Sequence, residues 1–326
     1  MQIKFPGFFD LQVNGFAGVD FNDPRATPEE LRRALAALRA TGVTRLLPTL
    51  ITSAFEDFAT CAEKLTQLGE AAIAGLHMEG PYISPVNGPR GAHPLMHVCA
   101  ASVDDFRRRQ DVAAGRIVLV TLAPEIAGAL ELIEYLAAQN ICVAIGHTAA
   151  TPEQIRDAVH AGAKLSTHLG NGCAPLLPRH PNFIWEQLAA DELCASLVVD
   201  GHHLPAATVK AMIRAKTPAR TLLVTDAIAA AGCPPGHYQL GGAEVVLEPS
   251  GRVAAPGASH LAGSSLTLPA AVANTARFTG LPLAEILPMA TTQPAALLGL
   301  RPAGTVTAEW DEKTFSLKIL SAKDDA

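Results

Sequence analysis

Eight short apolar runs recur along the chain: Phe8 to Val13, Arg45 to Ile51, Ala74 to Glu79, Ile117 to Leu122, Ile141 to Ile145, Lys164 to His168, Leu197 to Asp200 and Leu222 to Asp226. They are near-continuous in their apolar character, as strands covered on both faces should be. Between them lie stretches with apolar residues at helical spacing: Pro28 to Ala40, Phe55 to Leu68, Phe106 to Ala114, Ile126 to Gln139, Pro152 to Ala161 and Pro205 to Ala215. Thr27 and Thr151 stand immediately before prolines, a helix start in which the hydroxyl caps free amides and the proline fits the first turn. Strands alternating with helices imply parallel pairing, and eight such units imply an α/β fold closed into a (β/α)8 TIM-type barrel.

Two interruptions fall where barrel loops carry function: residues 80–99, rich in Gly, Pro and His, and residues 169–185, with several prolines. After Asp226 the pattern changes to glycine-rich hairpins over Tyr238 to Val253, covering helices from Ser264 to Leu300, and alternating runs from Thr305 to Leu320. The expected division is a barrel with covering helices over residues 1–300 and a short C-terminal β remnant over residues 301–326, with any second, small β domain reduced or absent.

Composition narrows the partners. A formal net charge of -6 and 17% charged residues, with both signs scattered, give no basic stripe of the kind a phosphate backbone requires, so nucleic acid is excluded. No run reaches the roughly 20 apolar residues that span a bilayer, and the start lacks the charged-then-apolar order of a secretory signal. A cytoplasmic protein without a membrane partner is expected. Six cysteines lie far apart with no Cys-x-x-Cys spacing, which reads as reduced, packed thiols.

Four of the predicted strands end on an isolated metal-capable or proton-carrying residue: Glu79, His147 just past its run, His168 and Asp226. In a parallel barrel all strand ends share one face, so these residues converge. Two imidazoles and a carboxylate with a fourth position open form a catalytic zinc set, able to lower the pKa of a bound water from 15.7 to about 7 and to polarise a carbonyl. Singly, each histidine reads more readily as a hydrogen-bonded core or loop group; jointly, on strand ends, they read as ligands. Asp226 reads either as a turn cap or as a general base beside the metal, since the eighth strand adjoins the first. Gln12 and Asn14 share one face of the first strand, and neither is a strong zinc ligand, so a single divalent metal per subunit is expected, with Gln12 at most touching a weak second site. Zinc leads, with iron, cobalt and manganese compatible with the same donors. His93 and His203 read as cavity-rim donors, and Arg179 as either a solvated charge or a forked anion-binding guanidinium. His97, His160, His237 and His260 read as surface histidines.

The ordered set Pro6-Gly-Phe-Phe-Asp-Leu-Gln-Val-Asn-Gly, His77-Met-Glu-Gly-Pro-Tyr, Gly91-Ala-His, Gly146-His-Thr-Ala-Ala-Thr, Thr167-His-Leu-Gly-Asn, Asp200-Gly-His-His, Val224-Thr-Asp-Ala and Leu261-Ala-Gly-Ser-Ser-Leu resembles the amidohydrolase superfamily, and within it the N-acetylglucosamine-6-phosphate deacetylase family. The resemblance implies a barrel of the metal-dependent hydrolase kind, with Glu79, His147 and His168 on the metal and Asp226 as acid and base. It also implies substrate contacts from His93, His203, Asn171 and Gly172, and a homodimer in which an arginine matching Arg179 meets the phosphate across the interface. The chain departs from the family at Asn171-Gly-Cys, at Arg179-His-Pro-Asn and at the bulky Phe183-Ile-Trp. Those departures keep three activities open: deacetylation of N-acetylglucosamine 6-phosphate, deacetylation of an unphosphorylated or different N-acetyl sugar or of an N-acyl amino acid, and metal or sugar binding without turnover.

Overall fold

The structure, a computed structural model, describes residues 1–258 and 261–324; His260 lies outside the described residues. Eight parallel strands form one sheet: β1 (Phe8–Val13), β2 (Val43–Ile51), β3 (Leu76–Glu79), β4 (Ile117–Leu122), β5 (Cys142–Ile145), β6 (Leu165–Ser166), β7 (Cys194–Leu197) and β8 (Thr221–Leu223), each paired with its sequence neighbour. Between β8 and β1 there is no ladder. The seam is made by single contacts, among them the Val13–Ala227 bridge and the Asp226 N–H donating to the Gln12 carbonyl at 2.9 Å. With that seam the sheet is a (β/α)8 barrel.

The helices follow the capping chemistry of the sequence. Pro28–Ala40 and Pro152–Ala161 both start with a full capping box, Thr27 with Glu30 and Thr151 with Gln154. Their buried faces, Leu31, Leu35 and Leu38 in the first and Ile155 and Ala158 in the second, join one core between strands and helices. A helix that the pattern did not predict, Phe183–Ala189, begins within the expected loop of residues 169–185 and runs past its end, capped by the Asn182 side chain accepting from Ile184 and Trp185.

Strand ends differ from the sequence pattern in an informative way. β6 stops at Ser166 and β8 at Leu223, short of the expected His168 and Asp226, and β7 runs Cys194–Leu197 rather than Leu197 to Asp200. His168 (φ 29°), Asp226 (φ 51°) and His147 (φ 49°) all adopt left-handed backbone, which leaves a ladder and turns the side chain inward over the barrel mouth.

The chain does not begin in the barrel. Gln2–Pro6 pairs with Thr305–Asp311, which pairs in turn with Ser316–Lys323, so a three-stranded antiparallel sheet draws on both ends of the sequence. A second three-stranded sheet, Gly236–Leu240, Ala243–Leu247 and Val253–Ala254, packs Leu240, Val245 and Leu247 on Ile51 and Ile228 beside the barrel mouth. No helix among the described residues is long and apolar enough to cross a membrane, and all six cysteines are unpaired.

Candidate active site

Glu79 ends β3, and the left-handed Gly80 behind it (φ 81°) passes so close to Thr52 that any side chain there would collide with it. Glu79 Oε1 lies 3.2 Å from His147 Nε2 and 3.1 Å from His168 Nε2, and the two imidazole nitrogens are 3.1 Å apart. All three residues are buried. His147 Nδ1 sits 3.0 Å from the Pro89 carbonyl, which can only accept, so that nitrogen carries a proton, and Nε2 faces Glu79 as a lone pair when the ring is neutral and as a donor when it is protonated. His168 Nδ1 is buried with no partner.

Three basic atoms thus meet at one point. A tetrahedral zinc with bonds of about 2.0–2.1 Å spaces its ligands about 3.3–3.4 Å apart, close to the separations here, so the set fits a metal. Burial by itself would raise the Glu79 carboxyl, yet the hydrogen bonds from His147 and His168 hold it well below the usual carboxylate range. Burial likewise opposes charge on His168, and the Glu79 carboxylate overcomes it and raises that imidazole.

Asp226 stands beside the set without belonging to it. Its Oδ1 accepts from Asn14 Nδ2 at 2.7 Å and from Gln12 Nε2 at 3.3 Å, and the same Gln12 nitrogen reaches Glu79 Oε1 at 2.9 Å. Gln12 therefore turns a donor to both carboxylates. Burial, and after it the Glu79 charge, pushes the Asp226 carboxyl up to about 6. Its left-handed φ costs an ordinary residue roughly 1–2 kcal/mol, strain held by the surrounding packing. Below the site, His77 Nε2 pairs with Thr121 Oγ1 at 2.7 Å and Thr121 with Thr167 Oγ1 at 2.7 Å, a polar floor inside the barrel. Burial holds His77 neutral, its pKa down at about 4.

Above these groups opens a cavity of about 1220 Å³, walled by Asn14, Glu79, His93, His147, His168 and Asp226 and roofed by the hairpin sheet through Leu240, Glu244 and Val245. It is large enough to enclose a small-molecule substrate. His93 Nδ1 accepts from the Thr52 amide at 3.4 Å and lies 2.8 Å from the Thr52 hydroxyl, which leaves the ring proton on Nε2. Burial, with His147 alongside, lowers the His93 pKa to about 3, so it is a neutral donor. His203 Nδ1 is fixed on Asp200 Oδ2 at 2.6 Å.

The amidohydrolase family pattern matches residues 3–311. This chain belongs to the amidohydrolase family. Among its relatives, the N-acetylgalactosamine-6-phosphate deacetylase of Escherichia coli O157:H7 is 36% identical over 305 residues, covering 92% of this chain and 79% of the relative. The human N-acetylglucosamine-6-phosphate deacetylase is 36% identical over 317 residues, covering 92% and 75%. In three dimensions the N-acetyl-D-glucosamine-6-phosphate deacetylase of Mycobacterium smegmatis superposes with a TM-score of 0.90 at 31% identity, covering 98% of this chain and 86% of that one. The corresponding Thermotoga maritima enzyme gives 0.83 at 28%, covering 96% and 85%.

Within this amidohydrolase, Glu79, His147, His168, His93, Asn171, Gly172, His203 and Asp226 all line the cavity, and Gln12 lies behind its wall. Arg179 does not: it is exposed on the loop before Phe183–Ala189 and absent from the lining. Sequence reasoning gave no site role to Arg90, to Arg252 or to the segment 261–263, the last quoted only within the family resemblance, and all three also wall the cavity. Arg90 carried one usable signal, its place three residues before His93 in the same loop. Arg252 carried none, since only the docking of the hairpin sheet brings it to the mouth.

Proposed function

We propose that this amidohydrolase removes the acetyl group from an N-acetyl amino sugar 6-phosphate, N-acetylglucosamine 6-phosphate foremost, giving glucosamine 6-phosphate and acetate. The observation that carries the reading is the meeting of Glu79, His147 and His168 within 3.2 Å beside a separately held Asp226, at the floor of a cavity of about 1220 Å³. Glu79, His147 and His168 would hold a single divalent cation, zinc foremost, which would supply Lewis-acid polarisation of the amide carbonyl and acidification of water. Asp226, its Oδ1 fixed by Asn14 and Gln12, keeps Oδ2 to take the proton of the attacking water and to return it to the leaving nitrogen. His93 offers its Nε2 proton to the substrate carbonyl or a sugar hydroxyl. His203, Asn171 and Gly172, which also line the cavity, contact the sugar.

The phosphate reading rests on two arginines. Arg90 lines the cavity of its own chain. Arg179 is reached only if a second copy presents it, and the same two loops expose Val86, Leu95, Met96, Leu176 and Trp185, the last two at 89% and 56%, an apolar surface that a homodimer would cover. Because the Escherichia coli relative at 36% identity is a galactosamine enzyme, the 4-epimer is the second reading. The deciding experiment measures acetate release by metal-replete protein from N-acetylglucosamine 6-phosphate, N-acetylgalactosamine 6-phosphate and both unphosphorylated sugars. A kcat/KM at least tenfold higher on the first supports the proposal; preference for an unphosphorylated sugar, or no release from any, rejects it.

A further inference from the structure

The seam between β8 and β1 is where the proposed acid and base sits, and it lacks the ladder that positions every other strand end. Asp226 is nevertheless held in left-handed backbone (φ 51°). Two groups outside the site account for this. On one side, Asp10 of β1, fully buried and with no cationic partner among the described residues, accepts from the Thr225 hydroxyl at 2.6 Å, the Thr225 amide at 3.2 Å and the Gln12 amide at 3.3 Å. The same Thr225 hydroxyl accepts from the Ala227 amide at 3.1 Å, closing a tight turn around Asp226. On the other side, the Ser264 hydroxyl donates to the Thr225 carbonyl at 2.5 Å and the Ser264 amide to the Asp226 carbonyl at 2.9 Å. Gly263, left-handed itself (φ 64°), lies so near Ile228 that a side chain there would drive the segment away.

We infer that Asp10 and Ser264 are positioning residues that clamp Thr225 from opposite sides and so aim the Asp226 carboxylate at the reacting centre. Neither touches substrate or metal ligands. A buried carboxyl group without a counter-ion is costly, and a chain that needed only barrel closure would be served by ordinary ladder pairing. The clamp fixes a turn that a ladder cannot make. The inference rests on Asp226 acting as proposed above, and the wild-type rate separates the two: no acetate release by wild type rejects the function, whereas the variants below test the clamp.

The experiment compares Thr225→Val, which keeps shape and loses the hydroxyl, with Thr225→Ser, which keeps it, and adds Ser264→Ala for the opposite side. Each is assayed for kcat, KM and bound metal. Displacement of a catalytic group by about 1 Å costs about 100-fold, so Thr225→Val is expected to lose about that factor in kcat, with KM within about threefold and metal at the wild-type level. Thr225→Ser restores most of the rate, and Ser264→Ala falls between. A folded, metal-replete Thr225→Val with kcat within about threefold of wild type overturns the inference, as does a loss that tracks metal content, or a Thr225→Ser as impaired as the valine variant. Should Thr225→Val fail to fold, Ser264→Ala carries the decision: an unchanged kcat in that variant overturns the clamp.

Discussion

Replacing Asp226 by asparagine removes the base and keeps its shape. The asparagine oxygen can still accept from Asn14 and Gln12, where Asp226 Oδ1 now accepts at 2.7 and 3.3 Å, so the new NH2 group falls where the free carboxylate oxygen stood. The three metal ligands are untouched. Loss of a positioned general base costs about 10²–10⁴ in rate, or roughly 3–5 kcal/mol of barrier, and kcat is expected to fall by that much with metal content unchanged. The pH profile supplies the second signature. A carboxyl at about 6 is mostly ionised at neutral pH, and because the ionised form is the base, the rate falls as pH drops through that value. A cation on Glu79, His147 and His168 favours the ionised form, so the acid limb lies at or below 6. Acetate release between pH 4.5 and 8, with metal analysis on each sample, reads both effects. A variant that keeps more than about a tenth of wild-type kcat, or a wild-type acid limb lying clearly above pH 6 in metal-replete protein, refutes the assignment.

Removing metal with a strong chelator is expected to abolish acetate release and to lower the melting temperature, with zinc, cobalt, iron or manganese restoring both; full activity after chelation, with metal below a tenth of an equivalent, contradicts the ligand set. Arg90→Gln is expected to lower kcat/KM on the 6-phosphate by about tenfold more than on the unphosphorylated sugar, chiefly through KM, and an unchanged ratio removes Arg90 from phosphate binding. Leu132→Ala, at a fully buried site of the helix Ala129–Ala138, should cost about 2–5 kcal/mol in urea unfolding, and a loss below 1 kcal/mol would show that the site is not tightly packed.

The sequence by itself determined the barrel and most of its mouth. Near-continuous apolar strands with intervening amphipathic helices admit few other architectures, and threonine before proline located two helix starts to the residue. The same pattern exposed Glu79, His147, His168 and Asp226, because a polar group closing an apolar strand is visible without coordinates. What the tertiary structure decided has a common physical cause. The short β6 and β8, the left-handed turns at His168 and Asp226, and the clamp on Thr225 follow from through-space hydrogen bonds that no local pattern encodes. Helix Phe183–Ala189 is too short to show a period, and only its Asn182 cap announced it. Gln2–Pro6 became a strand because its partner, Thr305–Asp311, lies some three hundred residues away, and Arg252 reached the cavity because a separately packed hairpin sheet carries it there. Periodicity reports which face of an element is buried; it does not report which distant element buries it.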